Sequence, residues 1–93
     1  MIASFGIAAA RAAWQRRFIK GYPGDVMKIA HRKLFQIEHA TRLDDLRAPP
    51  GNKLEALAGD RRGQHSIRIN DQWRICFVWK DGDAHDVEIV DYH

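Results

Sequence analysis

Apolar and polar residues alternate along the last third of the chain. Every second residue is apolar or ring-bearing in three successive segments: His65, Ile67 and Ile69; Trp73, Ile75, Phe77 and Trp79; His85, Val87 and Ile89. A period of two residues places such side chains on one face of a β-strand. Asn70-Asp71 and Asp81-Gly82-Asp83 separate the segments with residues that favour turns. The pattern therefore predicts three consecutive β-strands.

The first half of the chain has helical spacing instead. Residues 8–19 are rich in alanine, with Trp14 and Phe18 four positions apart, and the glycines of residues 21–24 end this helix. Asp25 is a favourable start for a second helix. Its apolar stripe repeats every 3.6 residues: Val26, Ile29, Ala30, Leu34, Ile37 and Thr41. The stripe indicates an amphipathic helix that packs against a sheet.

The remaining segments complete an α+β prediction. Residues 2–5 alternate weakly and predict a short first strand, residues 41–52 predict a loop, and residues 53–57 predict a further strand. A chain of 93 residues is expected to form one domain, here residues 1–93. The sequence thus predicts two N-terminal helices against a small sheet.

The hydrophobic pattern also selects a register for the last hairpin. A two-residue Asp81-Gly82 loop would mix the apolar and polar faces of the two strands. A three-residue loop instead sets Phe77 opposite Val87. It also sets Ile75 opposite Ile89, so that both apolar sets face the core. We therefore predict the three-residue loop.

Arg74 and Tyr92 share a face of the sheet in this register. Arg74 lies opposite Val90 and diagonal to Tyr92, while the neighbouring tryptophan and isoleucine side chains point to the other face. We expect Arg74, Tyr92 and Cys76 to lie on the face that the helices leave open. An ion pair between Arg74 and the acidic Glu88 is the simplest structural interpretation of this arginine.

Composition restricts the compartment and the partners. A single cysteine rules out an internal disulfide framework and fits a reducing compartment. The first residues lack the basic segment of a secretory signal, and no apolar run approaches ~20 residues, so we expect a cytoplasmic protein without membrane contact. Net charge is +3, and residues 1–48 carry nine Lys/Arg against four Asp/Glu. This excess fits either a contact with a polyanion or a solvated helix surface.

The residues at the chain end suit cleavage of RNA without a metal ion. That reaction needs a base for the ribose 2′-hydroxyl, an acid for the leaving oxygen and positive charge at the phosphorus. Arg74 offers a fork of donors to phosphate, and His93 titrates near neutrality. Tyr92 can exchange a proton if a guanidinium lowers its pKa. Asp91 either orients His93 or solvates the strand end.

The chain resembles a HigB-type toxin of the RelE/ParE superfamily over essentially its whole length. The resemblance rests on Met1-Ile2, Ser4-Phe5, Lys53-Leu54, Gly59-Asp60-Arg61, Ser66-Ile67, Asn70, Trp73-Arg74-Ile75, Phe77 and Asp91-Tyr92-His93. It implies a RelE-like fold, with two N-terminal helices packed on one face of a small twisted, mostly antiparallel sheet. It also implies an endoribonuclease that cuts messenger RNA on the ribosome without a cofactor. Its catalytic residues would be Arg74, Asp91, Tyr92 and His93. For such an enzyme we predict contacts to the RNA backbone from Lys53, Arg61, Arg62 and Arg68.

Two departures from the family pattern weaken the expected activity. Relatives often read Lys-Leu-His-Pro-Leu-Lys-Gly-Asp where this chain has Lys53-Leu-Glu-Ala-Leu-Ala-Gly-Asp60. Glu55 therefore replaces a histidine, and Ala58 replaces a lysine. Loss of one charged contact costs roughly 2–4 kcal/mol in a transition state, so we predict a slow nuclease unless Glu55 serves as the base.

The resemblance also implies partners and leaves other functions open. The partner would be a HigA-like helix-turn-helix antitoxin, beside the ribosome and its messenger RNA. A second hypothesis is a toxin that inhibits DNA gyrase or the ribosome by binding, without nuclease chemistry. A third is a ribosome- or RNA-associated protein whose basic helices, including Arg32 and Lys33, make the main contact.

Overall fold

The computed structural model describes residues 1–92, which form two α-helices and one four-stranded sheet. The helices are α1 (Ala8–Trp14) and α2 (Gly24–His39), and the strands are β1 (Glu55–Ala56), β2 (His65–Arg68), β3 (Trp73–Lys80) and β4 (Asp83–Asp91). The predicted loop of residues 41–52 contains two short 3₁₀ helices, Leu43–Arg47 and Pro50–Asn52, and a third covers Gly59–Arg61. The predicted α+β class and its two helices are confirmed.

The sheet is antiparallel throughout its four strands, which follow one another in chain order. The predicted first strand is reduced to two isolated parallel bridges, from Ile2 to Ala84 and from Phe5 to Val87. The N-terminal segment therefore runs beside the outer edge of β4, where the Ala3 amide donates to the Ala84 carbonyl at 2.7 Å. A mostly antiparallel sheet is thus confirmed.

The core lies between α2 and one face of the sheet. Side chains of α2 that are at most 2% exposed face it: Val26, Met27, Ala30, Leu34 and Ile37. Side chains from alternate positions of β2, β3 and β4 meet them: Ile67, Ile75, Phe77, Val87 and Ile89. Helical and strand periodicities thus bring two apolar surfaces together. No helix within residues 1–92 is long and apolar enough to cross a membrane.

The first helix is shorter than predicted. It ends at Trp14 rather than at residue 19, because Arg16 takes a left-handed backbone conformation with φ of 59°. The Arg17 amide donates to Ala12 at 2.8 Å, and the Arg16 amide to Ala13 at 3.1 Å. These are the two hydrogen bonds of a Schellman motif, which usually has glycine where Arg16 stands.

The predicted three-residue loop of the last hairpin is wrong. Lys80 pairs with Asp83 across a two-residue Asp81-Gly82 turn, in which both residues have positive φ. The predicted pairing of Ile75 with Ile89 nevertheless holds, because the register shifts by one residue between Cys76 and Val78. The additional residue is accommodated near Asp86, whose φ is 52°. A β-bulge therefore allows both the favoured turn and the apolar register.

A buried asparagine fixes the connection between α2 and the sheet. Asn52 is fully buried, and its side-chain amide donates to the Leu46 carbonyl at 3.2 Å and to the Gln36 side chain at 2.9 Å. Lys33 donates to its side-chain oxygen. Because these bonds satisfy the polar atoms of Asn52, the segment that leads into Lys53 and β1 is held against α2.

Candidate active site

Arg74 lies in β3, an inner strand of the sheet, and its guanidinium is held from three directions. Nε donates to the hydroxyl of Ser66 at 2.7 Å, and Nη2 donates to the Lys53 carbonyl at 2.8 Å. Nη2 also lies 3.3 Å from a carboxylate oxygen of Glu55. The Arg74 side chain is only 13% exposed. These contacts fix the orientation of the cation before any ligand binds.

Ser66 is a further residue of this site, which the sequence marks only as part of the family resemblance and not as a partner of Arg74. It is fully buried in β2, where it pairs with Cys76, two residues from Arg74 along β3 and therefore on the same face of the sheet. Adjacent positions on one sheet face are close enough for a short hydroxyl to reach the guanidinium. Aligning the apolar residues of β2 with those of β3, as for the last hairpin, would have placed Ser66 beside Arg74.

Glu55, and not Glu88, is the carboxylate that pairs with Arg74. Glu55 is in the edge strand β1, and its side chain is 52% exposed. Glu88 instead pairs with Arg61 at 3.2 Å, where both side chains are about 30% exposed. The interpretation of Arg74 as an ion-pair partner of Glu88 is therefore wrong. Glu55, which stands where relatives have a histidine, therefore contacts the guanidinium of Arg74, the candidate catalytic residue.

Tyr92 lies beside the same guanidinium. The Arg74 Cζ atom is 6.0 Å from the centre of the Tyr92 ring, and the tyrosine is 38% exposed. Such an arginine–ring contact is weakly attractive and places the phenol at the edge of the site. The Tyr92 amide donates to the Gln72 carbonyl at 2.6 Å, which anchors Tyr92 directly after β4. The prediction that Arg74 and Tyr92 share a face agrees with this contact.

Asp91 occupies the other face of β4. It pairs with Trp73, which belongs to the core, so alternation directs Asp91 away from the face of Arg74. Its carboxylate accepts a hydrogen bond from the Gln72 side chain at 3.0 Å. His93, the remaining predicted catalytic residue, lies outside the described residues.

The four residues predicted to bind RNA have different surroundings. Lys53 gives its carbonyl to Arg74, while its side chain is exposed, as is that of Arg62. Arg61 contacts Gln64 and Glu88 and is partly buried. Arg68 forms an ion pair with the exposed Asp71. The structure therefore places the backbone of Lys53 at Arg74, and gives Arg61 and Arg68 intramolecular carboxylate partners.

Cys76 is buried, contrary to the expectation that it lies on an open face. Its exposed fraction is zero, and burial raises the pKa of its thiol, while the nearby Arg61 and Arg74 oppose that shift and Glu88 supports it. The face of β3 that carries Arg74 is thus closed to solvent at Cys76, and charged side chains of the site are near enough to act on its thiol. A raised pKa keeps this thiol protonated and poorly nucleophilic. Within residues 1–92 no cluster of three His, Cys, Asp or Glu side chains is arranged to hold a metal ion.

Comparisons with known proteins agree on one family. The family model described as a RelE-like toxin of the type II toxin–antitoxin system HigB matches residues 15–93. The chain is 32% identical to an endoribonuclease HigB of Proteus vulgaris over the full length of both chains. It is 44% identical to toxin HigB-1 of Vibrio cholerae over 62 residues, 67% of this chain and 65% of that relative.

A solved structure supports the fold independently of sequence. The chain is similar to a chain of the YoeB–YefM complex from Staphylococcus aureus, with a TM-score of 0.62 and 17% identity over 100% of this chain and 98% of the other. At this level of identity the similarity concerns the fold alone. It confirms the predicted RelE-like arrangement of two helices against a mostly antiparallel sheet.

Proposed function

The chain belongs to the family of RelE-like HigB toxins of type II toxin–antitoxin systems, and on this premise we propose that it is an endoribonuclease. Its substrate would be messenger RNA bound to the ribosome, and the reaction would use side-chain acids and bases without a metal ion or cofactor. The observation that carries the proposal is the guanidinium of Arg74, fixed by Ser66 and the Lys53 carbonyl beside Tyr92.

The proposed reaction is attack of the ribose 2′-hydroxyl on the adjacent phosphorus. The bond from phosphorus to the 5′-oxygen breaks, so one product ends in a 2′,3′-cyclic phosphate and the other in a 5′-hydroxyl. Arg74 would bind a non-bridging phosphate oxygen and stabilise the negative charge that grows in the transition state. Its preformed contacts mean that little reorganisation is needed when the phosphate arrives.

Three groups are candidates for proton transfer. Tyr92 borders the guanidinium and is accessible to RNA, so it can give a proton to the leaving oxygen. His93 follows it in sequence and is proposed as its partner, with Asp91 as the orienting acid. Glu55 is exposed and lies beside the guanidinium proposed to bind the phosphate, so it is the alternative base for the 2′-hydroxyl if it does not merely compete with the phosphate for Arg74. The assignment of these roles is part of the proposal.

We expect the enzyme to be slow. The ion pair between Glu55 and Arg74 neutralises part of the charge that the phosphate requires, and Ala58 removes the lysine that relatives carry. RNA must therefore compete with a carboxylate for the guanidinium. For backbone contacts we propose Lys53, Arg61, Arg62 and Arg68, of which Arg61 and Arg68 would exchange a carboxylate partner for phosphate.

The proposed protein partner is a HigA-like antitoxin with a helix-turn-helix domain. Membership in a toxin–antitoxin family supports an antitoxin partner, and the similar solved fold comes from a YoeB–YefM complex. Coexpression of the toxin with the product of a neighbouring small gene, followed by copurification, tests this partnership.

Transcript mapping in cells tests the proposed activity. Wild type, Arg74→Ala and Lys80→Ala are expressed at equal levels, and the ends of cellular transcripts are mapped. Lys80 is an exposed cation at the hairpin turn and serves as the matched control. New 5′-hydroxyl ends within reading frames are expected for wild type and Lys80→Ala, and few for Arg74→Ala. Equal cleavage by all three would remove Arg74 from the mechanism.

A second candidate function is inhibition of DNA gyrase by binding. The observation that favours it is the replacement of the family histidine and lysine by Glu55 and Ala58. A supercoiling assay with purified gyrase separates the two functions. Inhibition of gyrase by wild type and Arg74→Ala alike, together with intact transcripts, would support this candidate against the nuclease.

A further inference from the structure

A cavity on the helix side of the molecule is lined by cations. It has a volume of about 380 Å³ and shares no residue with the surroundings of Arg74. Four positively charged side chains border it, from Arg16, Arg17, Lys28 and Arg32, and all four residues are exposed. No aspartate or glutamate is among the described residues that line it. The cavity therefore fits a ligand with several negative charges.

An exposed aromatic ring borders the same cavity. Phe18 is 64% exposed, and its ring lies beside Gly24, where an added Cβ would be 3.6 Å from the ring edge. Met27, which is only 2% exposed, lines the cavity from the core side. A planar apolar ring among guanidinium groups is suited to stack a nucleobase while the cations contact phosphates. An acidic peptide would use the charges but would have no comparable use for the ring.

Arg16 is placed toward this cavity by an unusual local structure. It occupies the left-handed position that ends α1, where glycine is strongly preferred. Its Nε donates to Nε2 of His31 at 3.1 Å, while the Nδ1 atom of His31 lies 3.0 Å from the Ala13 carbonyl. Nδ1 therefore carries the ring hydrogen and Nε2 accepts, which fixes the orientation of both side chains. His31 contacts the Nε atom of the Arg16 guanidinium and not its two Nη groups.

The two basic residues at the centre of α2 point in different directions. Arg32 lines the cavity, whereas Lys33 donates to the buried Asn52. Partial burial lowers the pKa of Lys33, and the charges of Arg32 and Arg68 add to that effect. Lys33 thus supports the fold through Asn52 and is not part of the cavity. The basic surface of the helices therefore has fewer cations available to a ligand than the sequence indicates.

We propose that this helix-side cavity binds a single-stranded RNA segment, with one base stacked on Phe18 and its phosphates on Arg16 and Arg32. The site would be a second contact with RNA, separate from the catalytic one. It does not depend on cleavage, so it can be present even if the nuclease proposal fails.

Binding of an uncleavable RNA tests the site. The probe is a fluorescein-labelled 12-nucleotide 2′-O-methyl RNA, whose blocked 2′-oxygens prevent cleavage, and fluorescence anisotropy gives its affinity over a range of salt concentrations. We expect the Arg16→Gly, Arg32→Gln double variant to reduce the slope of log K against log salt by about 1.4, because each lost single-strand phosphate contact contributes about 0.7. Lys80→Gln, with an equal charge change per site, is the control and should keep the slope.

The stacking part of the proposal has its own variants. Phe18→Ala should weaken binding about 10-fold, which lies within the range for loss of one stacked base, and Phe18→Tyr should restore it. Arg16→Gly should not lower the melting temperature, because glycine is favoured at this backbone conformation. A loss of affinity in a variant that melts no earlier than wild type therefore cannot result from unfolding.

Three outcomes would overturn the proposal. The first is wild-type affinity and salt slope in the double variant, and the second is an equal loss in Lys80→Gln. The third is displacement of the RNA by a 12-residue polyglutamate peptide at equal concentration, combined with normal RNA binding by Phe18→Ala. That third outcome would assign the cavity to an acidic protein segment instead.

Discussion

Replacement of Glu55 by glutamine should make the proposed nuclease faster. The carboxylate of Glu55 lies 3.3 Å from Nη2 of Arg74. Two unit charges at that distance attract each other by about 5 kcal/mol at an effective dielectric constant of 20. Glu55 is 52% exposed, so solvent screening reduces the net value to about 1 kcal/mol, as for exposed ion pairs. Removing the charge should release that amount to the phosphate, a gain of about 5-fold.

Single-turnover cleavage of a labelled messenger RNA on purified ribosomes measures this gain. The substitution Glu55→Gln preserves size and an oxygen that can accept from Arg74. Asp60→Asn is the matched control, because Asp60 is exposed in the connection that follows β1 and its change also removes one negative charge. We expect a rise for Glu55→Gln that exceeds any change in Asp60→Asn.

The opposite result has a definite meaning. If Glu55 removes the proton from the 2′-hydroxyl, glutamine cannot replace it, and the rate should fall by about 10²-fold or more, the usual contribution of general base catalysis. A fall of that size would refute the idea that Glu55 competes with the phosphate. It would establish the carboxylate as part of the catalytic apparatus.

Three further predictions concern the scaffold of the site. Ser66→Ala should lower kcat/KM about 10-fold, because Arg74 loses the hydrogen bond that orients it. If Ser66 acts only through Arg74, the double variant Ser66→Ala, Arg74→Ala should be no slower than Arg74→Ala alone. Gly6→Ala should lower the free energy of unfolding by roughly 1–3 kcal/mol, because its Cβ would lie 2.9 Å from the Asp86 carbonyl oxygen. Urea denaturation measures the change, and an unchanged free energy of unfolding would mean that the N-terminal segment is not tightly packed. The raised pKa of Cys76 predicts that the free energy of unfolding is constant with pH below the ordinary thiol pKa of 9.0 and falls as the pH rises above it. Cys76→Ala should lose less stability than wild type above pH 9.0. Equal slopes of stability against pH in the two proteins would contradict the raised pKa.

The regular elements were predictable because their side chains repeat with one period. The apolar residues of α2 and the alternating apolar residues of β3 and β4 all face one core. The spacing of these residues therefore predicts a helix in the first case and strands in the second. The end of α1 was not predictable in this way. Glycine normally marks a Schellman motif, and here Arg16 takes that conformation, so the local sequence carries no stop signal.

The last hairpin shows why turn and register have to be considered together. The Asp81-Gly82 pair correctly indicates a two-residue turn, while the apolar pattern correctly indicates the pairing of Ile75 with Ile89. Only a bulge reconciles the two. The amide of Asp86 in that bulge donates to the Ser4 hydroxyl at 2.9 Å, a contact between opposite ends of the chain that local sequence cannot reveal.

The candidate site was predictable in its centre and not in its surroundings. The common face of Arg74 and Tyr92 follows from alternation and the register of a single hairpin. The partners of the guanidinium do not, because Ser66 and Glu55 come from strands whose registers were not assigned. The burial of Cys76 was missed for a related reason, since Arg61, whose charge acts on its thiol, comes from a segment that was not placed against the sheet.

The most direct test of the central claim is the rate at which purified protein cleaves ribosome-bound messenger RNA when Arg74 is changed. We predict that Arg74→Ala slows single-turnover cleavage by about 10²–10³-fold, the range for loss of one preorganised charge contact in a transition state. Lys80→Ala should cleave at the wild-type rate and leave the same 2′,3′-cyclic phosphate ends. Cleavage by Arg74→Ala at the wild-type rate would contradict the account.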